Sequence, residues 1–279
     1  RSVAVYAEDD AASLHVRKSD NAIALKGRGV AAYLDMEQLI AIAQAEGCEA
    51  IHPGYGFLAE NAEFARRCQA AGIRFVGPSA EVLELFGDKA QARALAERCN
   101  VPLVSGISRQ SEARAAFGLD ALYVEQLLSN ARHIEIQILG DGTGAVSHLW
   151  ERDCSLQRCQ QKLVEIAPSP HLPHATRERM IAAALTLAAE VKYQGLGTFE
   201  FLLDGDRHEL FYFMEANPRI QVEHTVTEQV TGVDLLNSQL RLAAGASLAE
   251  LGLEQAPALQ GCALQLRINL ETLHADGST

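Results

Sequence analysis

The sequence has no apolar run long enough to cross a bilayer; its most apolar helical stretch, Met180 to Ala189, is far too short. It has no basic excess either: 24 Lys and Arg stand against 36 Asp and Glu, for a formal net charge of -12. Nucleic acid and anionic membrane surfaces are therefore poor candidates as the main partner, although a local cluster can still hold an anionic small molecule. The six cysteines (Cys48, Cys68, Cys99, Cys154, Cys159 and Cys262) include no Cys-x-x-Cys pair. Neither a zinc site nor a disulfide framework is expected. Scattered reduced thiols fit a cytoplasmic protein, with the mitochondrial matrix not excluded; a reactive Cys154 or Cys159 is the minority reading. No secretory leader, internal repeat or low-complexity tract is visible, and the missing initiator Met suggests a fragment. With 48% hydrophobic and 22% charged residues over 279 positions, the chain should build a packed core in one large or two ordinary domains.

The most informative stretch runs from Glu215 to His224. Glu215, Asn217, Arg219, Gln221 and Glu223 fall at every second position, with Ala216, Pro218, Ile220 and Val222 between them. An extended chain would send the polar set to one face. Upstream, Thr198 to Leu203 reads as a strand, Asp204-Gly205-Asp206 as a turn, and Leu210 to Met214 as the return strand. A hairpin centred between Arg207 and His208 pairs Glu200 with Glu215. Opposed like charges on an exposed sheet cost roughly 0.2–1 kcal/mol. A divalent cation removes that cost, and Mg²⁺ favours a carboxylate pair plus substrate phosphates. Asn217 can add an amide oxygen. The rival reading is an ordinary solvated edge strand.

Residues 2 to about 100 alternate short apolar runs with amphipathic helices (Met36–Glu46, Glu60–Ala71, Ala90–Cys99, and one capped by Ser79), which predicts an α/β, doubly wound parallel sheet. After Val101, strands at 123–127, 134–139, 145–149, 198–203 and 210–215, a helix at Ala175–Lys192 and another at Thr231–Ala244 predict an α+β half with antiparallel pairing.

His52-Pro-Gly-Tyr-Gly-Phe with Glu60-Asn61, Gly87-Asp88-Lys89, Arg132-His133-Ile-Glu-Ile-Gln137, Glu151-Arg-Asp-Cys-Ser-Leu-Gln157, Gly197-Thr-Phe-Glu-Phe201 and Met214 to His224 stand in one order along nearly the whole chain. Together they resemble the biotin carboxylase component of biotin-dependent carboxylases, in the ATP-grasp superfamily. The resemblance implies a Rossmann-like N-terminal domain (1–87), an ATP-grasp domain (88–260) and the start of a C-terminal domain (261–279). It implies ATP- and Mg²⁺- (or Mn²⁺-) dependent carboxylation of carrier-bound biotin by bicarbonate. By the same resemblance, Glu200, Glu215 and Asn217 hold the metal. Lys89, His133, Gln157 and Gln160 contact ATP, and Glu125, Gln126, Leu127 and Leu128 lie along the adenine. Lys162, Arg219 and the backbone of Val222 form the bicarbonate pocket, Glu223 is the general base, and Arg267 steadies the biotin enolate. Taken singly, Lys89 reads as a solvated helix-start lysine, His133 as a satisfied strand histidine and Lys162 equally as a loop lysine. Arg267, in an apolar strand, calls for a partner, functional or structural. The His52 motif reads as architectural.

The chain departs from the family pattern in three ways. The mobile lid, with its glycine-rich phosphate loop, is missing where Val104 to Ser108 runs into Arg109-Gln110-Ser111. Because Arg109 to Gly118 resembles the helix that closes the lid, an omitted stretch is favoured over a true join. The first βα unit and the C-terminal part are also missing. Gln160 stands where many relatives have His, and Gln265 where many have Glu. No Met-Lys-Met-like biotin attachment site occurs, so the carrier and the carboxyltransferase are expected elsewhere in the same polypeptide or in a partner subunit, and a homo-oligomer is expected. The alternatives are another ATP-grasp ligase, of carbamoyl-phosphate or purine-pathway type, and a lidless nucleotide-binding module.

Overall fold

The structure, a computed structural model, describes residues 1–109 and 122–268. The expected lid-closing helix at 109–118 therefore lies outside the described residues beyond Arg109, as does the segment after Ile268. In the N-terminal half, β1 (Val3–Tyr6) runs parallel to β2 (Asn21–Ala24), and β3 (Ala50–Ile51) parallel to β4 (Arg74–Phe75). The helices between them start where short polar side chains satisfy free backbone N–H groups: Asp35 accepts from Gln38, Asn61 from Phe64 and Ser79 from Val82. Glu60, expected inside a helix, precedes the Asn61 cap and stays free to point elsewhere. Leu58, Phe64, Cys68 and Ile73 form the local core. The parallel pairing is as expected, but it comes as two separate pairs rather than one continuous sheet. The edges of β1 and β3 border a cavity of about 660 Å³ whose walls include Val3, Val5, Ala50 and Ile51.

β5 (Gly106–Arg109) pairs antiparallel with β6 (Leu122–Glu125), so the Ser108–Arg109 junction lies within one continuous strand. The remaining strands are β7 (Ala131–Asp141), β8 (Val146–Arg158), β9 (Gln161–Ala167), β10 (Gln194–Asp204), β11 (Phe211–Asn217) and β12 (Ala263–Leu266). They build one antiparallel sheet in the order β11-β10-β7-β8-β9-β12. β8 is far longer than the segment expected at 145–149. Its charged Glu151, Arg152 and Asp153 read as non-strand, yet all three are buried by partners on neighbouring elements.

The two faces of this sheet differ in chemistry. One is apolar: Ile134, Ile136, Ile138, Phe199, Phe201 and Phe213 pack in one cluster with residues of the helix His174–Glu190. Phe201 meets Phe211 and Phe213 nearly edge to face, at 5.7 and 5.8 Å between centroids. The other face is polar around Glu135 and Glu200, where the helix His224–Thr231 covers part of it, and apolar at the Leu139–Leu196 end, where Leu235 and Leu242 pack. The helix expected over Thr231–Ala244 is Leu235–Ala243, capped by Asp234, and a further helix not expected from sequence, His224–Thr231, precedes it and ends at left-handed Gly232. His224–Thr231 is rich in β-branched Thr and Val, which hides it from a propensity reading.

Tyr193 fixes two glycines. A Cβ on Gly140 would meet the Tyr193 carbonyl oxygen at 2.0 Å, and one on Gly197 would meet the buried Tyr193 hydroxyl at 2.2 Å. Gly140→Ala should therefore destabilise the fold by roughly 1–3 kcal/mol or more, because a backbone oxygen cannot step aside. A urea midpoint equal to wild type would contradict this packing.

Candidate active site

The register of four adjacent strands sets the site. Glu215 on β11 pairs with Glu200 on β10, Glu200 with Glu135 on β7, and Glu135 with Arg152 on β8. Three carboxylates thus stand side by side on the polar face, with a guanidinium closing the row. The Glu200–Glu215 pairing is the one the hairpin reading expected; Glu135 was not foreseen as a site residue.

Two cations hold this row together. Arg152 is fully buried and donates to both Glu135 Oε1 and Gln137. Lys162, on β9 rather than in a loop, places Nζ 2.7 Å from Glu135, 3.0 Å from Glu200 and 2.8 Å from Glu223. Arg267 donates to Glu223 at 2.9 Å and Glu165 at 2.5 Å. It follows the end of β12 and sits between the exposed Leu266 and Ile268, not in a buried apolar strand, and its partners are these two carboxylates.

These contacts set the protonation states. Burial would lift Glu200, but the contact with His133 and the charge of Lys162 outweigh it and bring its pKa down to about 2. Its contribution to stability is complete above pH 4.5 and is lost as pH falls toward about 2. Burial would likewise lift Glu135, and Arg152 and Lys162 more than reverse it. Burial would lower Lys162, yet Glu135 and Glu200 hold it above its ordinary value. Glu215 moves the other way: withdrawal from water, then the charge of Glu200, raise it. Gln157 donates to the Cys154 carbonyl at 2.8 Å and stands 3.0 Å from His133 Nδ1. That leaves the ring proton of His133 on Nε2, 2.6 Å from Glu200. Cys154 is buried and its thiol is pushed well above the ordinary range, chiefly by burial, so it is inert. All six cysteines are free.

The cavity beside this row has a volume of about 750 Å³. Of the residues singled out from sequence, Leu128, His133, Gln157, Gln160, Lys162, Glu200, Glu215, Asn217, Arg219, Val222, Glu223 and Arg267 line it. Lys89 opens the helix Lys89–Arg98 and is not in the lining, nor are Glu125, Gln126 and Leu127; only the backbone of Glu125 is described. The alternation expected through Glu223 stops at Asn217. Pro218 has no N–H for a ladder, and the chain then bends and turns into the helix His224–Thr231. Arg219, Gln221 and Glu223 reach the cavity by that bend, not as an extended face.

Residues missed from sequence are Glu60, Tyr55, Glu135, Arg152 and Glu165; Gln221 belongs to the polar set read from sequence but had no role there. Glu60 accepts from Arg219 at 2.8 Å, and Tyr55 lines the cavity, so the His52 motif is more than architectural. His52 itself is structural: it meets Gln239 at 3.0 Å and accepts from Gly54 N. The alternation of polar and apolar residues in Arg132 to Gln137 was the signal available for Glu135.

The donor set suits a divalent cation. Glu200 and Glu215 are hard oxygen ligands, and Glu215 opens to the cavity with only an Asn217 amide contact at 3.5 Å among the described residues. They fit. Asn217 turns its nitrogen, not the expected oxygen, toward both carboxylates, because its oxygen accepts from Arg219 at 3.2 Å; it must rotate to serve as a ligand. His133, Glu135 and Glu200 also bring potential ligand atoms within 4.8 Å of one another. Glu135, however, is already engaged by Arg152 and Lys162 and acts as their counter-ion.

The chain is similar to known proteins along its length. The family model described as "Biotin carboxylase, N-terminal domain" matches residues 1–83, and "Carbamoyl-phosphate synthase L chain, ATP binding domain" matches residues 104–251. The solved "Biotin Carboxylase domain of single-chain bacterial carboxylase" is 52% identical with a TM-score of 0.89, over 96% of this chain and 68% of that one. A single-chain, multi-domain long-chain acyl-CoA carboxylase is 46% identical with a TM-score of 0.92, over 100% of this chain and 30% of that one. Mitochondrial pyruvate carboxylase of Rattus norvegicus is 43% identical over 97% of this chain. The fold is that of an ATP-grasp nucleotide-binding enzyme. The chain belongs to the biotin carboxylase family. It spans only 27% of the length of the curated relatives. The match to the rat protein runs over 323 residues against 279 here, so that relative carries residues within the stretch that this chain lacks.

Glu215→Gln should raise stability at neutral pH by about 0.2–1 kcal/mol, because it removes a like charge opposed to Glu200. It should also abolish the rise in melting temperature that Mg²⁺ with ATP gives the wild type. A variant less stable than wild type, or one still stabilised by Mg²⁺ with ATP to the full extent, would contradict the assignment.

Proposed function

We propose that the chain is the biotin-carboxylating part of a biotin-dependent carboxylase, using ATP and bicarbonate to carboxylate biotin presented by a carrier. The observation that carries this reading is Glu223 held between Lys162 and Arg267 at 2.8 and 2.9 Å in the same cavity as the Glu200–Glu215 pair. A nucleotide-handling end and an acid–base end thus share one space.

In this reading Glu223 takes the bicarbonate proton on its carboxylate, a step that needs the base within hydrogen-bond reach. Lys162 and the planar Arg219 fork hold the resulting oxyanion, with Arg219 kept in place by Glu60. The freed oxygen attacks the γ-phosphorus of ATP and ADP leaves. Breakdown of the mixed anhydride releases carbon dioxide and phosphate, and phosphate carries the proton from biotin N1 as that nitrogen attacks carbon dioxide. Arg267 steadies the negative oxygen that develops on the biotin ring. Bound Mg²⁺, held by Glu200 and Glu215 with Asn217 after its amide rotates, would neutralise phosphate charge. His133, Gln157 and Gln160 take up nucleotide contacts on the β7–β9 wall, with residues 125–128 along the base and Lys89 as a further ATP contact.

The carrier and the carboxyltransferase belong to the same polypeptide or a partner subunit, and the enzyme assembles as a homo-oligomer. Family resemblance supports the division at 1–87, 88–260 and 261–279. Another ATP-grasp ligase is disfavoured by the biotin carboxylase N-terminal match and by Arg267 reaching Glu223.

ATP cleavage by the full-length protein should depend on both bicarbonate and free biotin. Glu223→Gln should lower kcat by about 10²-fold or more while leaving the ATP KM within a few-fold, since the lost function is proton transfer. Full biotin-dependent turnover by that variant would remove the general-base role, and ATP cleavage indifferent to both substrates would remove the proposed activity.

A further inference from the structure

Arg152 has no part in the steps above and does not line the cavity. Its side chain is wholly buried, and all five N–H groups of its guanidinium have acceptors. Nε donates to Glu135. Nη1 donates to Gln137 at 2.7 Å and Thr227 at 2.9 Å. Nη2 donates to Thr198 and Gln221, each at 3.1 Å. These acceptors come from β7, β10, the bend after β11 and the helix His224–Thr231.

We propose that Arg152 is a positioning residue that anchors the Gln221 amide against Glu200 and sets where Lys162 stands. The inference rests on reading the cavity as a carboxylation site. An amide has one accepting end and one donating end, and a guanidinium only donates. Because Gln221 Oε1 accepts from Arg152, its Nε2 is the end left for Glu200, to which it donates at 3.0 Å. The chain Arg152 to Gln221 to Glu200 therefore runs in one sense. Glu135 works in parallel: one oxygen takes Arg152, and the other takes Lys162 at 2.7 Å. Without the guanidinium, Gln221 Oε1 loses its donor and the amide is held at one end only, and Glu135 pulls Lys162 off the position it shares with Glu223. Lysine, with three donors on one atom, cannot reach the same five acceptors.

The test uses the full-length protein and two variants. Arg152→Lys should remain folded, by circular dichroism and melting. Its kcat for bicarbonate-dependent ATP cleavage should fall by roughly ten- to a hundredfold with the ATP KM within about threefold, as expected when reacting groups are misplaced. Thr227→Val removes one anchor of Arg152 outside the cavity; its kcat should fall about three- to tenfold in the same pattern, and it decides the matter if Arg152→Lys does not fold. A readout independent of turnover is the side-chain amide ¹⁵N–¹H signal of Gln221. It should resist solvent exchange in the wild type and lose that protection in whichever variant folds. A folded variant with wild-type kcat, or with Gln221 still protected, overturns the proposal. If the wild type itself shows no bicarbonate-dependent cleavage, the functional reading fails, while Gln221 protection still tests the geometry.

Discussion

Three carboxylates in register on one sheet face are the constraint from which the rest of the site follows. Glu215, Glu200 and Glu135 cannot lie side by side on β11, β10 and β7 unless cations meet them. Arg152 and Lys162 do so from β8 and β9, which requires the five strands to hold one alignment. A one-residue slip of β7 would turn Glu135 and Gln137 into the apolar cluster and bring Ile136 to the polar face. The packing of Ile134, Ile136 and Ile138 with residues of the helix His174–Glu190 excludes that slip. The apolar core thereby fixes the electrostatics of the opposite face.

Compensation along the row is uneven. Glu135 has two cations, Glu200 has Lys162 together with His133 and two amides, and Glu215 has one long amide contact. Negative charge is left at the edge that opens to the cavity, where a cation carrying a polyphosphate has room. Removing one member of a buried ion pair typically costs about 3–5 kcal/mol, so the Arg152–Glu135 end is a structural anchor and the Glu215 end a binding surface. The N-terminal half takes part through Glu60, which holds Arg219, and through His52 against Gln239. The link between the two halves thus combines polar side chains that belong to the site or brace it with the apolar packing of Phe86 against Phe199 and Tyr193.

Local signals were readable. The Glu200–Glu215 hairpin register, the capped N-terminal helices and the polar alternation after Met214 each depend on neighbours a few residues away, and the ordered motifs gave the family. What could not be read depends on distant pairing. Glu135 and Glu200 are brought together by two strands some sixty positions apart, and Arg152 sits in a charged triplet beyond the strand expected at 145–149, buried only by partners on other elements. The extended face expected through Glu223 fails for a local reason that was visible, Pro218, followed by a helix that β-branched residues conceal. The amide of Asn217 shows a further limit: sequence gives the residue type but not which end faces the carboxylates.

Anomalous scattering from Mn²⁺ in crystals grown with nucleotide tests the central claim most directly. The account predicts a manganese peak between the carboxylates of Glu200 and Glu215, with Glu135 still bound to Arg152 and Lys162. A peak at Glu135 and His133, or at neither member of the Glu200–Glu215 pair, would contradict it.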